Sequence, residues 1–327
     1  GIDLKVKDSI NNTGTIKSND YITLTGKSIT NNQGVILADG KTSLISSDDF
    51  INKNGGLIKG GDVQIASING NVINQTFAQT SKVQNGANDF TYTLLGNVSK
   101  IQSTNGNLVL QAKNSIENIG ADLSASKTLS LNAQTGDVNF KTLSLESGHN
   151  VYFKGGFDKA LDVQHLSSTA SGENVVIKSG NDINLEAAKL NATNQINLNA
   201  ANDVNVLAVN DIHYKDVQTS SKGFLSKKTS RDMTYKENVV SSELNAKDIV
   251  INGKNDVTLQ SAKLNAQDNL IANAQNGNLN VVAKEYKEGE LHSTSKSSLG
   301  GLSKSLDVSS KDSLKLNSAE LQTKGDN

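Results

Sequence analysis

The chain contains no cysteine, no proline and no tryptophan among its 327 residues, and only 4% of it is aromatic. Without cysteine, disulfide frameworks, zinc-finger spacings and thiol catalysis are all excluded. Without proline, every residue after the first carries a backbone N–H, which suits a chain that engages nearly all of them in strand ladders. Few aromatics and 35% hydrophobic content leave too little bulk to fill a wide globular core; a thin one is easier. Charge of one sign is also lacking: charged residues make up 20% of the chain, yet the net charge is −1. That balance argues against nucleic acid and other polyanions as partners. Disorder is opposed by the same near-neutrality together with the absence of proline. No apolar run approaches the roughly 20 residues needed to span a bilayer. Gly1 carries neither an initiator Met nor a signal peptide, so a monomeric fragment of something longer is expected.

What the sequence does have is repetition. Residues 173–206, ENVVIKSGNDINLEAAKLNATNQINLNAANDVNV, are copied by residues 247–281, KDIVINGKNDVTLQSAKLNAQDNLIANAQNGNLNV. Val175, Val176 and Ile177 correspond to Ile249, Val250 and Ile251, and the string from Ala188 to Ala192 recurs from Ala262 to Ala266. A fainter third copy starts at Lys311 and breaks off near Asn327. Inside each copy apolar and polar residues alternate, as in Ile183-Asn184-Leu185 and Ile196-Asn197-Leu198, and this period of two means strand. The same rhythm runs upstream through Ile22-Thr23-Leu24, Val63-Gln64-Ile65 and Leu108-Val109-Leu110. Asn, Asp, Gly and Ser separate the runs and suit sharp corners.

Short one-faced strands with turns every few residues fit a sandwich, a barrel or a solenoid, and the repetition favours the solenoid, in which coils stack on their own copies. The expected fold is all-β, a right-handed parallel β-helix with a narrow interior of Val, Ile, Leu and Ala. Asn191 and Asn265, and Asn199 and Asn273, are candidates for ladder positions along its axis. Four stretches break the rhythm, at about 75–97, 148–172, 215–243 and 285–305, and read as loops or hairpins leaving the shaft. The last two follow the same point of the long repeat and should form one decorated face. Removing all four leaves roughly 220 residues, about ten to eleven coils, and a rod on the order of 50 Å. The division expected is 1–97 as short coils and 98–327 as longer repeats carrying the later three excursions.

Several strings resemble the haemagglutinin-repeat proteins of two-partner secretion, that is, filamentous haemagglutinins and contact-dependent growth-inhibition effectors. Residues 25–40, TGKSITNNQGVILADG, are similar to the family's short coil, and residues 105–131, NGNLVLQAKNSIENIGADLSASKTLSL, to its strand, Gly-Ala step and second strand. The Ser-rich excursions at Thr219 to Ser230 and Ser293 to Ser305 resemble its second repeat block. The resemblance covers nearly the whole chain. It implies export through an outer-membrane two-partner transporter, a secreted or cell-surface location, and a role in adhesion or in toxin delivery to a target or host cell. The family's secretion-signal domain, toxin and toxin-entry motif are not recognisable, so their activities do not carry over.

No catalytic, cofactor or metal site is expected. Parallel β-helices also host polysaccharide lyases and hydrolases, which need converging carboxylates; here Asp182, Asp203 and Asp256 sit singly at corners, and the adjacent Asp48-Asp49 reads as a solvated turn. His149, His165, His213 and His292 show no metal-ligand spacing. Gly55-Gly56 and Gly60-Gly61 lack the Lys-Ser/Thr of a phosphate loop, and no Ser lies in a Gly-x-Ser-x-Gly elbow. The candidate contact surface is Lys222, Phe224, Leu225, Lys227, Lys228 and Arg231, which pairs two large apolar side chains with a basic cluster suited to a membrane or an anionic glycan. The bland alternative is a solvated loop with Phe224 folded back on the shaft. Tyr152, Phe153 and Phe157 form a second aromatic group, read as packed rather than binding.

Overall fold

The computed structural model describes residues 1–298, 304–317 and 320–323. The chain is all-β and winds into a parallel β-helix of triangular cross-section. Ten strands line one face, from Ile10–Asn12 to Leu279–Val282, each paired in parallel with the next. The other two faces belong to one sixteen-stranded sheet, because Thr169–Ser179, Lys189–Ala200, Glu243–Gly253 and Lys263–Ala274 each bend round a corner and serve both. Each coil therefore places one strand on each face. Coil 2, for example, consists of Ile22–Gly26, Ile29–Asn32 and Val35–Ala38. Ten coils at about 4.8 Å each give a shaft of about 48 Å.

Alternation in sequence becomes stacking in space. A column on the first face runs Leu24, Leu44, Ile65, Leu110, Leu131, Ile177, Leu198 and Ile251, all buried at 0% exposure. The near-identical strings are not direct neighbours, however: Leu190 stacks on Leu244, and Leu244 on Leu264. Copies thus lie two coils apart with a different coil between them. Asn191 and Asn265 are ladder residues joined through Asn245, whose amide bonds Asn191 at 2.8 Å while accepting from Asn265 at 2.7 Å. Asn199 and Asn273 are likewise aligned through Asn252.

The interior departs from the expected Val, Ile, Leu and Ala in one respect. Asn12, Asn31, Asn52, Asn74 and Asn118 all point inward, and each amide donates to the side-chain oxygen of the next at 2.8–2.9 Å. The second amide hydrogen reaches a corner carbonyl, Gly34 for Asn31 and Gly56 for Asn52. A buried amide is tolerated only when it is satisfied, and the ladder satisfies it. In coil 6 Phe140 takes the position above Asn118 and the column becomes apolar.

Corners carry a second ladder. Asp49, Asn71, Ser115, Asp137, Asp182, Asp203 and Asp256 each accept, through the side chain, the backbone N–H of the corresponding residue one coil later, at 2.7–3.1 Å. The aspartates at this corner, Asp49, Asp137, Asp182, Asp203 and Asp256, are therefore backbone caps. The corner after the second face is turned differently. Gln33, Asn54, Gly120, Ala187 and Ser261, in coils 2, 3, 5, 7 and 9, adopt positive φ between 44° and 58°. Coils 4, 6, 8 and 10 insert a hairpin at that same corner.

Candidate functional site

Among the described residues, four hairpins leave the shaft: Ala78–Asn85 with Asn88–Leu95, Leu143–Phe153 with Gly156–Leu166, Val209–Lys222 with Ser226–Val240, and Lys284–Ser298 with Lys304–Asn317. A hairpin lies in each stretch that breaks the sequence rhythm, with other bounds: 143–166 against 148–172, 209–240 against 215–243, and 284–317 against 285–305. The hairpins also pair with one another, making a continuous eight-stranded antiparallel sheet beside the shaft. The geometry has a simple cause. One hairpin is two strands wide, about 9.6 Å, and two coils climb the same distance. A hairpin on every second coil therefore meets its neighbour edge to edge.

Among the residues up to Ser295, none of this sheet's apolar side chains is buried, although antiparallel sheets ordinarily pack one side on something. Polar and aromatic contacts hold it instead. On one side a row crosses three hairpins: Lys82 lies 3.3 Å from Asp89, Asp89 accepts from the Asn150 amide at 2.8 Å, and Lys159 stands opposite Asp216. Asp216, only 2% exposed, receives Nε and Nη2 of Arg231 at 2.8 and 2.6 Å. That bidentate bond, outweighing burial, holds the Asp216 carboxyl below its ordinary value. Burial, reinforced by the nearby Asp216 charge, pushes the Tyr214 phenol up. Tyr235 is raised to about 12 by burial and by its hydrogen bond to Glu237.

The same side carries the rings. Tyr152 and Phe157 lie 6.5 Å apart, Lys159 sits over both, and Arg231 stands 5.6 Å from the Phe157 centroid. Phe157 is thus packed beneath cations, whereas Tyr152 and Phe153 each remain 46% exposed. The histidines, far apart in sequence, all come to this sheet, each against one aspartate. His149 meets Asp158 at 3.1 Å and His165 meets Asp211 at 2.8 Å; His213 holds Asp162 and His292 holds Asp232. Three of these pairs join neighbouring hairpins. No group of three or more potential metal ligands exists among the described residues.

Of the six residues singled out in the sequence, five lie at the tip of the third hairpin. Gly223 donates its N–H to Ser226 at 2.7 Å to close the turn, and Lys222 faces Lys227 across it. Phe224 is 97% and Leu225 55% exposed, so Phe224 does not fold back on the shaft. Lys228 lies opposite Ser221. Arg231 is separate: it sits within the sheet, bound to Asp216. Sequence reasoning missed Asp216, because it lies in a stretch without apolar alternation and meets Arg231 only once Val209–Lys222 pairs with Ser226–Val240.

The family described as Hemagglutinin repeat matches residues 148–223. Those residues run from the second hairpin through the seventh coil to the tip of the third, one full interval of the two-coil, one-hairpin unit. No curated protein and no solved structure matches the chain.

Proposed function

We propose that the chain is a non-catalytic β-helical segment of a bacterial surface exoprotein of the filamentous-haemagglutinin type, exported by a two-partner outer-membrane transporter. Its role is that of stalk and delivery scaffold in contact-dependent growth inhibition, helping a toxin cross into a target cell. One observation carries the reading: the structural unit of two coils and one hairpin coincides with the matched Hemagglutinin repeat. The non-catalytic part is supported by the corner carboxylates, which are spent on backbone amides rather than converging on a substrate. The exposed tip at Phe224 and Leu225, flanked by lysines, favours contact with another cell's surface.

The test uses bacteria displaying the parent exoprotein. Phe224 and Leu225 are replaced by Ser, and Lys227 and Lys228 by Gln. Display on intact cells, measured with antibody, should be unchanged, adhesion preserved, and target-cell inhibition lowered at least about tenfold. Loss of adhesion in step with inhibition would favour the second reading, a receptor- or glycan-binding adhesin surface. Unchanged inhibition would remove the tip from the mechanism, and an exoprotein confined to the cytoplasm would overturn the assignment.

A further inference from the structure

The corner between the third and first faces alternates in length. Gly172 and Glu173 make a short corner, Ala192, Thr193 and Asn194 a long one, Ala246 and Lys247 a short one, and Ala266, Gln267 and Asp268 a long one, as the register shifts between these strands record. A short corner between two longer ones is recessed. At Ala246 this recess is a shallow notch of about 400 Å³, lined by Thr193, Asn245, Asn265, Gln267 and three alanines. It lies on a different corner from the one the hairpins leave and owes nothing to their sheet.

We propose that this notch binds a neutral, linear polysaccharide lying along the shaft axis. No charged side chain lines it, and the adjacent Lys247 is paired with Asp268 at 3.3 Å, so neither an anionic nor a cationic ligand finds a counter-charge. What the walls offer are amides and a hydroxyl, groups that both donate and accept and so match sugar hydroxyls. The alanines beneath, Ala246 and Ala266, belong to the shaft core at 5% and 3% exposure, so the polar walls carry the contacts. Asn191, Asn245 and Asn265 are already oriented by bonding one another, which lowers the entropy cost of presenting them. They recur at about 4.8 Å, near the advance of one ring in an extended pyranose chain. Alternate residues of an extended peptide would advance about 6.8 Å and fall out of step. The notch period of two coils, about 9.6 Å, suits a disaccharide repeat.

The probes are neutral β-1,4-linked oligomers of glucose and of N-acetylglucosamine, two to six units long, added to the whole chain and followed by saturation-transfer NMR and titration calorimetry. Saturation transfer to at least one series is expected. Gln267→Arg and, independently, Thr193→Arg fill the notch from exposed positions and should weaken binding at least about tenfold without shifting the thermal midpoint. Phe224→Ser, at the hairpin tip, should leave binding intact. Absence of transfer from both series, or binding undiminished in both arginine variants, overturns the proposal. Neither outcome bears on the stalk reading, whose readouts are display and target-cell inhibition.

Discussion

Asn52 shows how a polar residue can be part of a core. Its amide donates to Asn74 and to the Gly56 carbonyl, and its oxygen accepts from Asn31. Substitution to Ala leaves one Asn31 amide N–H and the Asn74 oxygen without their partners, while the Gly56 carbonyl keeps the Lys100 N–H. Each buried unsatisfied group costs about 1–3 kcal/mol, so with two such groups Asn52→Ala should destabilise the early coils by roughly 2–6 kcal/mol. Urea unfolding, compared with an outward substitution such as Lys53→Ala, checks this. The position was legible: Asn12, Asn31, Asn52, Asn74 and Asn118 each stand two residues after an apolar core residue, such as Ile29 or Phe50, and share its inward parity. Polarity disguised it, because an isolated amide reads as solvent-facing until a copy of itself is placed one coil away.

Asp216 acts at the residue scale on a larger element. Because Arg231 holds its carboxyl below the ordinary value, the folded state favours the charged form. Its contribution is therefore present above the ordinary aspartate range near about pH 4 and is lost as pH falls through the lowered folded value. Hydrogen-exchange protection in the third hairpin, taken relative to the intrinsic exchange rate at each pH, should fall on acidification through that window in the wild type. In Asp216→Asn it should be lower at neutral pH and lose most of that pH dependence.

At the scale of elements, the matching of hairpin width to coil rise governs whether the second sheet exists. Val175 stacks on Ile196, and Ile196 on Ile249. Deleting residues 175–195 removes one coil and leaves the shaft continuous, but brings the second and third hairpins about 4.8 Å too close. Deleting residues 175–248 removes two coils and one hairpin, and leaves the remaining hairpins in step. Amide exchange should show Gly156–Leu166 deprotected in the first variant and protected in the second; equal protection in both would refute the matching rule. Sequence made the excursions visible as breaks in rhythm, and their spacing placed the last two on one side. Their pairing was not visible, because strands without an apolar face carry no mark of whether they stand alone or side by side. The rise of the shaft decides.

For the molecule as a whole, a sequence with little bulk and no strong charge folds without a globular interior. Each coil buries its apolar residues against the coils on either side, which is how a narrow solenoid becomes stable, while the hairpin sheet relies on paired charges, rings and edge-to-edge hydrogen bonds. The sequence by itself determined the strands, the corners, the parallel coil and its approximate length, since a period of two and a recurring corner chemistry are local and repeat along the chain. It also placed Lys222, Phe224, Leu225, Lys227 and Lys228 on an excursion. Tertiary structure alone decided that identical strings lie two coils apart, that Arg231 belongs to Asp216 rather than to the tip, that four distant histidines meet four aspartates, and that alternating corner lengths open a notch. Those relations depend on which residue lies one coil away, and that distance in sequence changes whenever a hairpin intervenes.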